Sequence, residues 1–368
     1  MFTRRIFLMQ AAAGVTAAAG IQLAQAGGKD TSSDPKVPMK TYKIAHTDLV
    51  VSRMAYGGGE LGGKWDQEAV SPESIATAAR VIHTAYDNGI TLFDTADVYA
   101  LGKSETAIGE LLKQSPGLRN KIVLQTKCGI HLSWPLSEPP PGDPHHFDFS
   151  YEHIISSAEG SLRRLGTDRL DILLLHRPDA LVEPDEVAKA FDELHRSGKV
   201  RYFGVSNHTP VQIELLKKSV RQPLVVNQIE LGLTHPDVIT DGIDANRQGD
   251  RRLTQGYTGA AGILEYCRLG DIQVQAYHPV RGLSATNASP AVKQTMQLLK
   301  DMAEKKNTTP FALALAWLLR HPAGIVPVIG GKPEYIVENC AADRITVSRQ
   351  EWYALLYAAT GMEPVRVL

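Results

Sequence analysis

The stretch LFDTADVYA, residues Leu92–Ala100, decides the fold that we expect for this chain. Leu92 and Phe93 are apolar and run directly into Asp94, and Tyr99 follows five residues after that carboxylate. A short buried strand that ends on a carboxylate, with a phenol just beyond it, brings two proton-active groups to the mouth of one strand. The pattern therefore predicts a strand whose C-terminal end carries chemistry.

Two later apolar runs stop in the same way on a single ionisable side chain. They are KIVLQTK, Lys121–Lys127, and LDILLLH, Leu170–His176. In a parallel α/β barrel the C-terminal ends of all strands open onto one face, and catalytic groups collect there from different strands. We therefore expect one pocket to hold four side chains: Asp94, Tyr99, Lys127 and His176.

These four residues resemble the catalytic tetrad of the aldo-keto reductase family, in which an Asp, a Tyr five residues later, a Lys and a His each lie at or near a strand end. The likeness runs from about Thr41 to Ala359. Further motifs match in order: GVSNH (Gly204–His208), NQIE (Asn227–Glu230), QAYHP (Gln275–Pro279) and ALALAWLLRHP (Ala312–Pro322). The resemblance implies a (β/α)8 TIM barrel with an N-terminal β-hairpin, extended loops on the catalytic face and a C-terminal helix. It also implies an oxidoreductase that reduces aldehyde or ketone carbonyls to alcohols, or the reverse, by direct hydride transfer.

Each residue of the tetrad suits one part of that reaction. Tyr99 would be the general acid, because an alkoxide that forms as the carbonyl receives hydride needs a proton. A phenol with an ordinary pKa of ~10 gives its proton reluctantly at neutral pH, so Lys127 beside it would have to lower that pKa. Asp94 would keep the lysine charged and oriented, and His176 would hydrogen-bond the substrate oxygen.

The resemblance also implies a nicotinamide cofactor, although the chain has no Rossmann glycine fingerprint. Ser206, Asn207 and Gln228 would bind the carboxamide, and Tyr277 would stack on the ring. The run Ile329–Lys332 matches the family's phosphate loop, and backbone N–H groups at a helix start together with a lysine suit a ribose 2′-phosphate, hence NADP(H). The implied cofactor-binding residues are Ser206, Asn207, Gln228, Tyr277, Gly330, Lys332, Glu338 and Asn339.

The chain departs from the family pattern at three places. The phosphate loop is one residue short, and Tyr335 stands where many members carry an adenine-stacking Arg, which leaves NAD(H) open as an alternative cofactor. His278 replaces the small residue that is usual after the stacking Tyr. The segment 234–262 is an insertion with a polar, Arg-rich run, NRQGDRRLTQGYTG. Because it follows strand six, we expect it on the catalytic face.

Apolar runs and caps predict where the elements lie. A small hairpin is expected over Thr41–Ile44 and Leu49–Ser52, and Ser71 before Pro72 is a good N-cap. The predicted barrel strands are Met54–Gly58, Thr91–Thr95, Ile122–Lys127, Leu170–His176, Tyr202–Val205, Leu224–Ile229, Ile272–Ala276 and Ile325–Ile329. The predicted helices are Pro72–Asn88, Ser104–Leu112, Tyr151–Leu165, Pro184–Ser197, Val292–Lys305, Phe311–Leu319, Pro333–Ala342 and Gln350–Thr360.

Composition excludes several other classes of protein. The formal net charge is −1, so nothing indicates nucleic acid or an anionic membrane surface as a partner. The partner that the family resemblance implies is a small-molecule carbonyl or alcohol substrate. Cys128, Cys267 and Cys340 are far apart and form no C-x-x-C pair, which argues against a disulfide framework or a zinc site. We expect buried, reduced thiols and no metal centre.

The first 26 residues are interpreted as a targeting segment. Adjacent arginines, Arg4 and Arg5, precede a weakly apolar Ala/Gly-rich run, and Ala24–Ala26 forms an A-x-A cleavage site, as in a bacterial Tat signal. The expected layout is therefore a signal peptide over 1–26, a disordered mature N-terminus over 27–40 and one barrel domain over 41–368. This predicts handling by the Tat machinery and a periplasmic protein without stable membrane insertion. An uncleaved signal that acts as an anchor is the alternative.

Two other functions compete with a reductase. A nicotinamide-binding regulatory or sensor subunit with little turnover would use the same fold, but it would not need Lys127 and His176 together. A barrel hydrolase would need paired carboxylates at strand ends, and only Asp94 and Glu230 lie in suitable positions.

Overall fold

The computed structural model describes residues 38–243 and 262–361. Its centre is a closed barrel of eight parallel strands with helices between them, so the predicted (β/α)8 fold is confirmed. The expected signal peptide, most of the expected disordered segment and residues 244–261 of the insertion lie outside the described residues.

The barrel strands are each within two residues of their predicted bounds. With strands numbered in chain order, they are β3 Ala55–Gly57, β4 Leu92–Asp94, β5 Val123–Cys128, β8 Leu170–Leu175, β9 Val200–Ser206, β10 Leu224–Glu230, β11 Gln273–Tyr277 and β12 Val326–Ile329. They are hydrogen-bonded in the ring order β10, β11, β12, β3, β4, β5, β8, β9, and β9 closes on β10. Two antiparallel pairs stand apart from the barrel: β1 Thr41–Lys43 with β2 Val50–Ser52, and β6 Ile130–His131 with β7 His146–Phe147.

The helices include three that the sequence pattern did not predict. In chain order the helices of the described residues are α1 Pro72–Asp87, α2 Lys103–Gln114, α3 Tyr151–Leu165, α4 Pro184–Arg196, α5 Pro210–Lys217, α6 Asp237–Ile243, α7 Ile263–Leu269, α8 Pro290–Lys305, α9 Pro310–Leu319, α10 Pro333–Cys340 and α11 Arg349–Thr360. The missed ones are α5, α6 and α7. Helix α5 nevertheless carries a sequence signal, because Thr209 and Gln212 form a capping box at its start. The cap expected at Ser71 is confirmed, since its side chain accepts from the Ser74 N–H.

The N-terminal hairpin closes one end of the barrel. Ile44, Leu49 and Val51 are buried in the same apolar cluster as strand residues such as Leu92 and Val326. A second and larger cluster lies between the strands and the helices. Since apolar side chains fill the hairpin end, the chemistry is left to the opposite end, where the strands finish.

The remaining structural predictions concern the thiols and the loops. All three cysteines are free; Cys128 and Cys267 are buried as expected, whereas Cys340 is only half-buried.

The chain divides into two compact units. Of the smaller unit, the structure describes the loop Leu132–His145. In that loop Ser133 N–H donates to the His145 ring at 3.0 Å. Across the described residues, no helix combines the length and apolar character needed to cross a membrane.

Candidate active site

The four residues of the predicted tetrad lie together at the C-terminal ends of the strands. The Lys127 Nζ atom is 2.6 Å from Asp94 Oδ2, 2.8 Å from the Thr95 carbonyl oxygen and 3.3 Å from the Tyr99 hydroxyl. The rings of Tyr99 and His176 meet edge to face, with centroids 5.7 Å apart. The sequence prediction of one shared pocket is therefore consistent with the geometry.

Strand register explains why these side chains meet. In the β4–β5 pair Asp94 is opposite Gln125, so Lys127 lies two residues further along β5 with its side chain on the same face. Lys127 is completely buried and Asp94 nearly so, and their contact is an ion pair. His176 directly follows β8, which pairs with β5.

Tyr99 is held by an unusual turn. It begins a short 3₁₀ segment, Tyr99–Gly102, in which Ala100 and Leu101 have φ of 48° and 58°. Residues other than glycine rarely adopt this left-handed backbone conformation, and it persists only where the surrounding structure enforces it. Here it turns the chain sharply between the phenol and helix α2.

Burial sets the protonation of the phenol and the imidazole. It raises the pKa of Tyr99, and Lys127 opposes that effect without overcoming it, so the expected net lowering of this pKa is wrong for the structure as described. Burial, together with the charges of Lys127 and Arg177, holds the pKa of His176 well below its ordinary value. At neutral pH the site therefore contains a protonated phenol and a neutral imidazole.

The lysine keeps its charge in spite of its burial. Burial alone would lower the pKa of Lys127, but the neighbouring Asp94 and Tyr99 outweigh it, and the pKa is raised. A buried ammonium is stable only where it is paired and fully hydrogen-bonded. Asp94 therefore favours the charged form of Lys127.

The residues implied for the nicotinamide form a hydrogen-bonded group. The Tyr277 hydroxyl donates to Asn207 Oδ1 at 2.9 Å, and the Asn207 side-chain amide donates to Ser206 Oγ at 2.8 Å. Ser206 Oγ in turn donates to the backbone carbonyl of Gln228 at 2.8 Å. Asn207 has a φ of 61°, a left-handed conformation in which Asn is enriched. These four residues lie at the ends of three neighbouring strands, β9, β10 and β11.

The phosphate loop follows β12 and leads into α10. Gly331 has a φ of 102°, which favours glycine, and exposed Lys332 is the N-cap of α10 without a side-chain capping bond. The first-turn N–H groups of α10 and the ammonium of Lys332 are thus available to an anion. Within α10, Glu338 is exposed and Asn339 is buried. The donor set fits a dinucleotide phosphate, whereas the Asn339 side chain is mostly turned away from solvent.

Several polar groups near the site were not predicted as functional from the sequence. Arg177 donates to the Tyr277 hydroxyl at 3.3 Å, and buried Gln125 donates to Asp94 Oδ1 at 2.6 Å. Gln125 lies two residues before Lys127 on the same face of its strand, and this alternation was the signal that could have identified it. His208, in the quoted GVSNH motif, is buried with its ring 2.9 Å from the Ser206 carbonyl oxygen, and burial lowers its pKa to about 4.

The contacts of Glu230 and Asp94 argue against the hypothesis of a barrel hydrolase. Glu230 contacts two neighbouring side chains, with Oε1 3.3 Å from the His278 ring and 3.4 Å from Arg281. The hydrogen bond from His278 lowers the pKa of Glu230, which therefore does not hold a proton for general acid catalysis. Asp94 is engaged by Lys127. Neither carboxylate has the freedom that a paired-carboxylate mechanism requires.

Known proteins resemble this chain over nearly its whole described length. A family model described as "Aldo/keto reductase family" matches residues 53–356. A "6-dehydroglucose reductase" from Agrobacterium fabrum is 38% identical over 323 residues, which cover 87% of this chain and 99% of that protein. The oxidoreductase YdhF of Escherichia coli is 37% identical over 279 residues, with 75% of this chain and 85% of that protein covered.

Solved structures agree with these sequence relatives. A glycerol dehydrogenase from Gluconobacter oxydans superposes with a TM-score of 0.71 at 26% identity, covering 89% of this chain and 99% of that one. An aldo/keto reductase from Klebsiella pneumoniae, solved in complex with NADP and acetate, gives a TM-score of 0.64 at 25% identity, covering 86% and 94%. The family model spans residues 53–356, and a relative 38% identical is covered over 99% of its length, so the chain belongs to the aldo/keto reductase family.

Proposed function

We propose that this protein is an NADP(H)-dependent oxidoreductase that reduces aldehyde or ketone carbonyls to alcohols, or catalyses the reverse, with Tyr99 as the general acid. The observation that carries the proposal is the buried contact of Lys127 with both Asp94 and Tyr99. Oxidoreductases among the relatives support the reaction class. A regulatory subunit with little turnover would not require this arrangement.

Nicotinamide, when bound, supplies or takes up the hydride. In the reductive direction Tyr99 gives its hydroxyl proton to the carbonyl oxygen as negative charge develops there. Its raised pKa keeps that proton in place until the developing alkoxide, a much stronger base, takes it. Lys127 then stabilises the phenolate that remains, and neutral His176 donates an N–H to the same substrate oxygen.

The cofactor would lie along the ends of β9 to β12. Ser206, Asn207 and Gln228 would hold the carboxamide, and Tyr277 would pack on the ring. The loop at Gly330 and Lys332, with Glu338 and Asn339 of α10, would hold the adenosine end. Lys332 favours the 2′-phosphate of NADP(H), and the relative solved with NADP supports that preference. Tyr335, whose side chain is 55% exposed, would offer a ring to the adenine where other members use Arg.

A sugar-derived aldehyde is the substrate class that we favour. Two relatives, from Agrobacterium fabrum and Novosphingobium aromaticivorans, are named 6-dehydroglucose reductases. In this chain Arg177, Glu230, His278 and Arg281 surround the strand ends with hydrogen-bonding groups. Such groups suit a hydroxylated carbonyl compound better than an apolar one.

Tyr99→Phe tests the general acid. Because the ring remains and only the proton is lost, NADPH binding should be unchanged while carbonyl reduction falls by ~10²–10⁴-fold. The measurement is the rate of NADPH oxidation with an aldehyde, together with a fluorescence titration of NADPH. Tyr353→Phe on helix α11 is the matched control and should keep the parent rate. A near-parental rate in Tyr99→Phe would remove the phenol from the mechanism.

Lys332→Ala tests the cofactor preference. Loss of one charge-assisted hydrogen bond to the 2′-phosphate should weaken NADPH by about 1.5–3 kcal/mol and leave NADH nearly unaffected. Dissociation constants for both nucleotides provide the measurement, with Lys293→Ala on helix α8 as the control. Equal weakening of the two nucleotides would show that Lys332 does not read the 2′-phosphate.

Export through the Tat machinery is a separate proposal that rests on the sequence of residues 1–26. The folded barrel, 41–368, would acquire its cofactor in the cytoplasm before crossing to the periplasm. Substituting both Arg4→Lys and Arg5→Lys should strand active enzyme in the cytoplasm, whereas the parent should yield a periplasmic form starting near Gly27. Cell fractionation with N-terminal sequencing provides the measurement. Uncleaved parent protein in the cytosol would contradict export.

A further inference from the structure

Three buried glutamine side chains cross the barrel next to the tetrad. Gln125 on β5 and Gln275 on β11 are wholly buried, and Gln228 on β10 is 2% exposed. Strands β5 and β11 lie opposite each other in the ring of eight, so the two amides meet across the barrel interior. Gln275 and Gln228 are register partners on adjacent strands. A polar layer is thus placed inside an otherwise apolar barrel, where unpaired amides would be destabilising.

The three amides form a continuous hydrogen-bonded chain that begins at Asp94. Gln125 Nε2 donates to Asp94 Oδ1 at 2.6 Å and to Gln275 Oε1 at 2.7 Å. Gln275 Nε2 returns a hydrogen bond to Gln125 Oε1 at 3.0 Å. Gln228 Nε2 donates to Gln275 Oε1 at 2.9 Å. Asp94 and Gln228, which belong to the catalytic and cofactor groups, are therefore connected through side chains alone.

The charge of Asp94 determines which way each amide faces. A carboxylate only accepts hydrogen bonds, so Gln125 must present its NH₂ group to Asp94, and its oxygen is left to accept from Gln275. Gln275 must then donate to that oxygen, so its own oxygen accepts from both Gln125 and Gln228. Gln228 consequently points its NH₂ group into the chain. Turning any one amide over would bring two donors or two acceptors face to face.

The free end of the chain is the oxygen of Gln228. No donor among the described residues forms a hydrogen bond with Gln228 Oε1, whereas its nitrogen is used inside the barrel. The backbone carbonyl of the same residue anchors Ser206 and Asn207 at 2.8 and 2.9 Å. An acceptor with fixed orientation therefore lies beside the two other residues of the carboxamide group.

We propose that Gln125 and Gln275 are positioning residues that transmit the orientation imposed by Asp94 to Gln228, so that Gln228 Oε1 accepts from the NH₂ of the nicotinamide carboxamide. The inference rests on the proposed function, because it assumes that a nicotinamide cofactor binds at Ser206, Asn207 and Gln228. It adds that one chain of hydrogen bonds, in which Asp94 sets the orientation of every amide, connects the tetrad with the cofactor site. Neither Gln125 nor Gln275 has to touch the substrate for this to hold.

The test compares two oxidised cofactors that differ only in the group concerned. NADP⁺ carries a carboxamide, and its 3-acetylpyridine analogue carries an acetyl group without the NH₂. The full parent chain should bind NADP⁺ more tightly than the analogue by about tenfold, the worth of one net hydrogen bond. In Gln125→Leu the Gln275 and Gln228 amides are free to turn over, so the ratio of the two dissociation constants should fall towards one.

A second variant keeps the shape of the side chain and makes the effect depend on pH. In Gln125→Glu an ionised carboxylate faces Asp94 and cannot donate, whereas a protonated one can, and two facing carboxyls favour sharing a proton. In this variant the dissociation constant of the analogue divided by that of NADP⁺ should be near one at pH 8 and should rise towards the parent value at pH 5.5. In the parent chain this ratio should stay constant over the same pH range. A purely structural loss would not recover with acid.

Gln273→Leu is the matched control. Gln273 Oε1 accepts from Gln275 Nε2 at 3.4 Å, but it lies outside the path from Asp94 to Gln228. This variant should keep the parent ratio. The proposal that Gln125 and Gln275 transmit the orientation of Asp94 to Gln228 (the relay) is overturned if Gln125→Leu keeps the parent ratio. It is also overturned if the ratio falls as far in Gln273→Leu as in Gln125→Leu. A parent chain that binds neither nucleotide would instead overturn the proposed function, and the relay with it.

Discussion

The buried ion pair between Lys127 and Asp94 is the interaction on which the rest of the site depends. Removing an ammonium from water costs several kcal/mol, and this is offset only where the charge is fully surrounded by acceptors. Lys127 meets that condition through Asp94, the Thr95 carbonyl and the Tyr99 hydroxyl, at 2.6, 2.8 and 3.3 Å. Removing one member of such a pair typically destabilises a protein by about 3–5 kcal/mol, because a bare charge is left behind. The same contacts that make the charge tolerable place it beside the phenol.

The barrel supplies these positions through strand register. Asp94 ends β4, and Lys127 extends from β5 on the same face because side chains alternate along a strand. His176 follows the next strand in the ring, β8. The hairpin packs apolar side chains against the strand residues at the opposite end of the barrel. Catalytic chemistry and fold stability are thus separated along the barrel axis, and loop variation at the strand ends leaves the core intact.

Much of this arrangement could be predicted from sequence because short apolar runs stop on single ionisable residues, and parallel strands share one open end. The barrel strands and the grouping of the tetrad at their ends followed from that pattern, whereas the (β/α)8 barrel was implied by the resemblance to the family. The net pKa of Tyr99 did not, since burial and a neighbouring charge oppose each other and only coordinates decide which prevails. Gln125 was missed because a polar residue inside an apolar run has no visible partner until β11 is placed across the barrel. Helix α6 lies within the insertion 234–262 and helix α7 directly follows it, and no family pattern guides the assignment of either.

The central claim is that Lys127 acts on the reaction through Tyr99, and a double-mutant cycle tests it most directly. The measurement is the single-turnover rate of carbonyl reduction by Lys127→Met, Tyr99→Phe and the double variant, each first shown to be folded and to bind NADPH. Residues that act as a unit give strongly non-additive losses. The account predicts that Lys127→Met slows the parent severely but adds little further loss once the phenol is gone. Losses that multiply in the double variant would contradict it, because they would mean that the ammonium contributes independently of Tyr99.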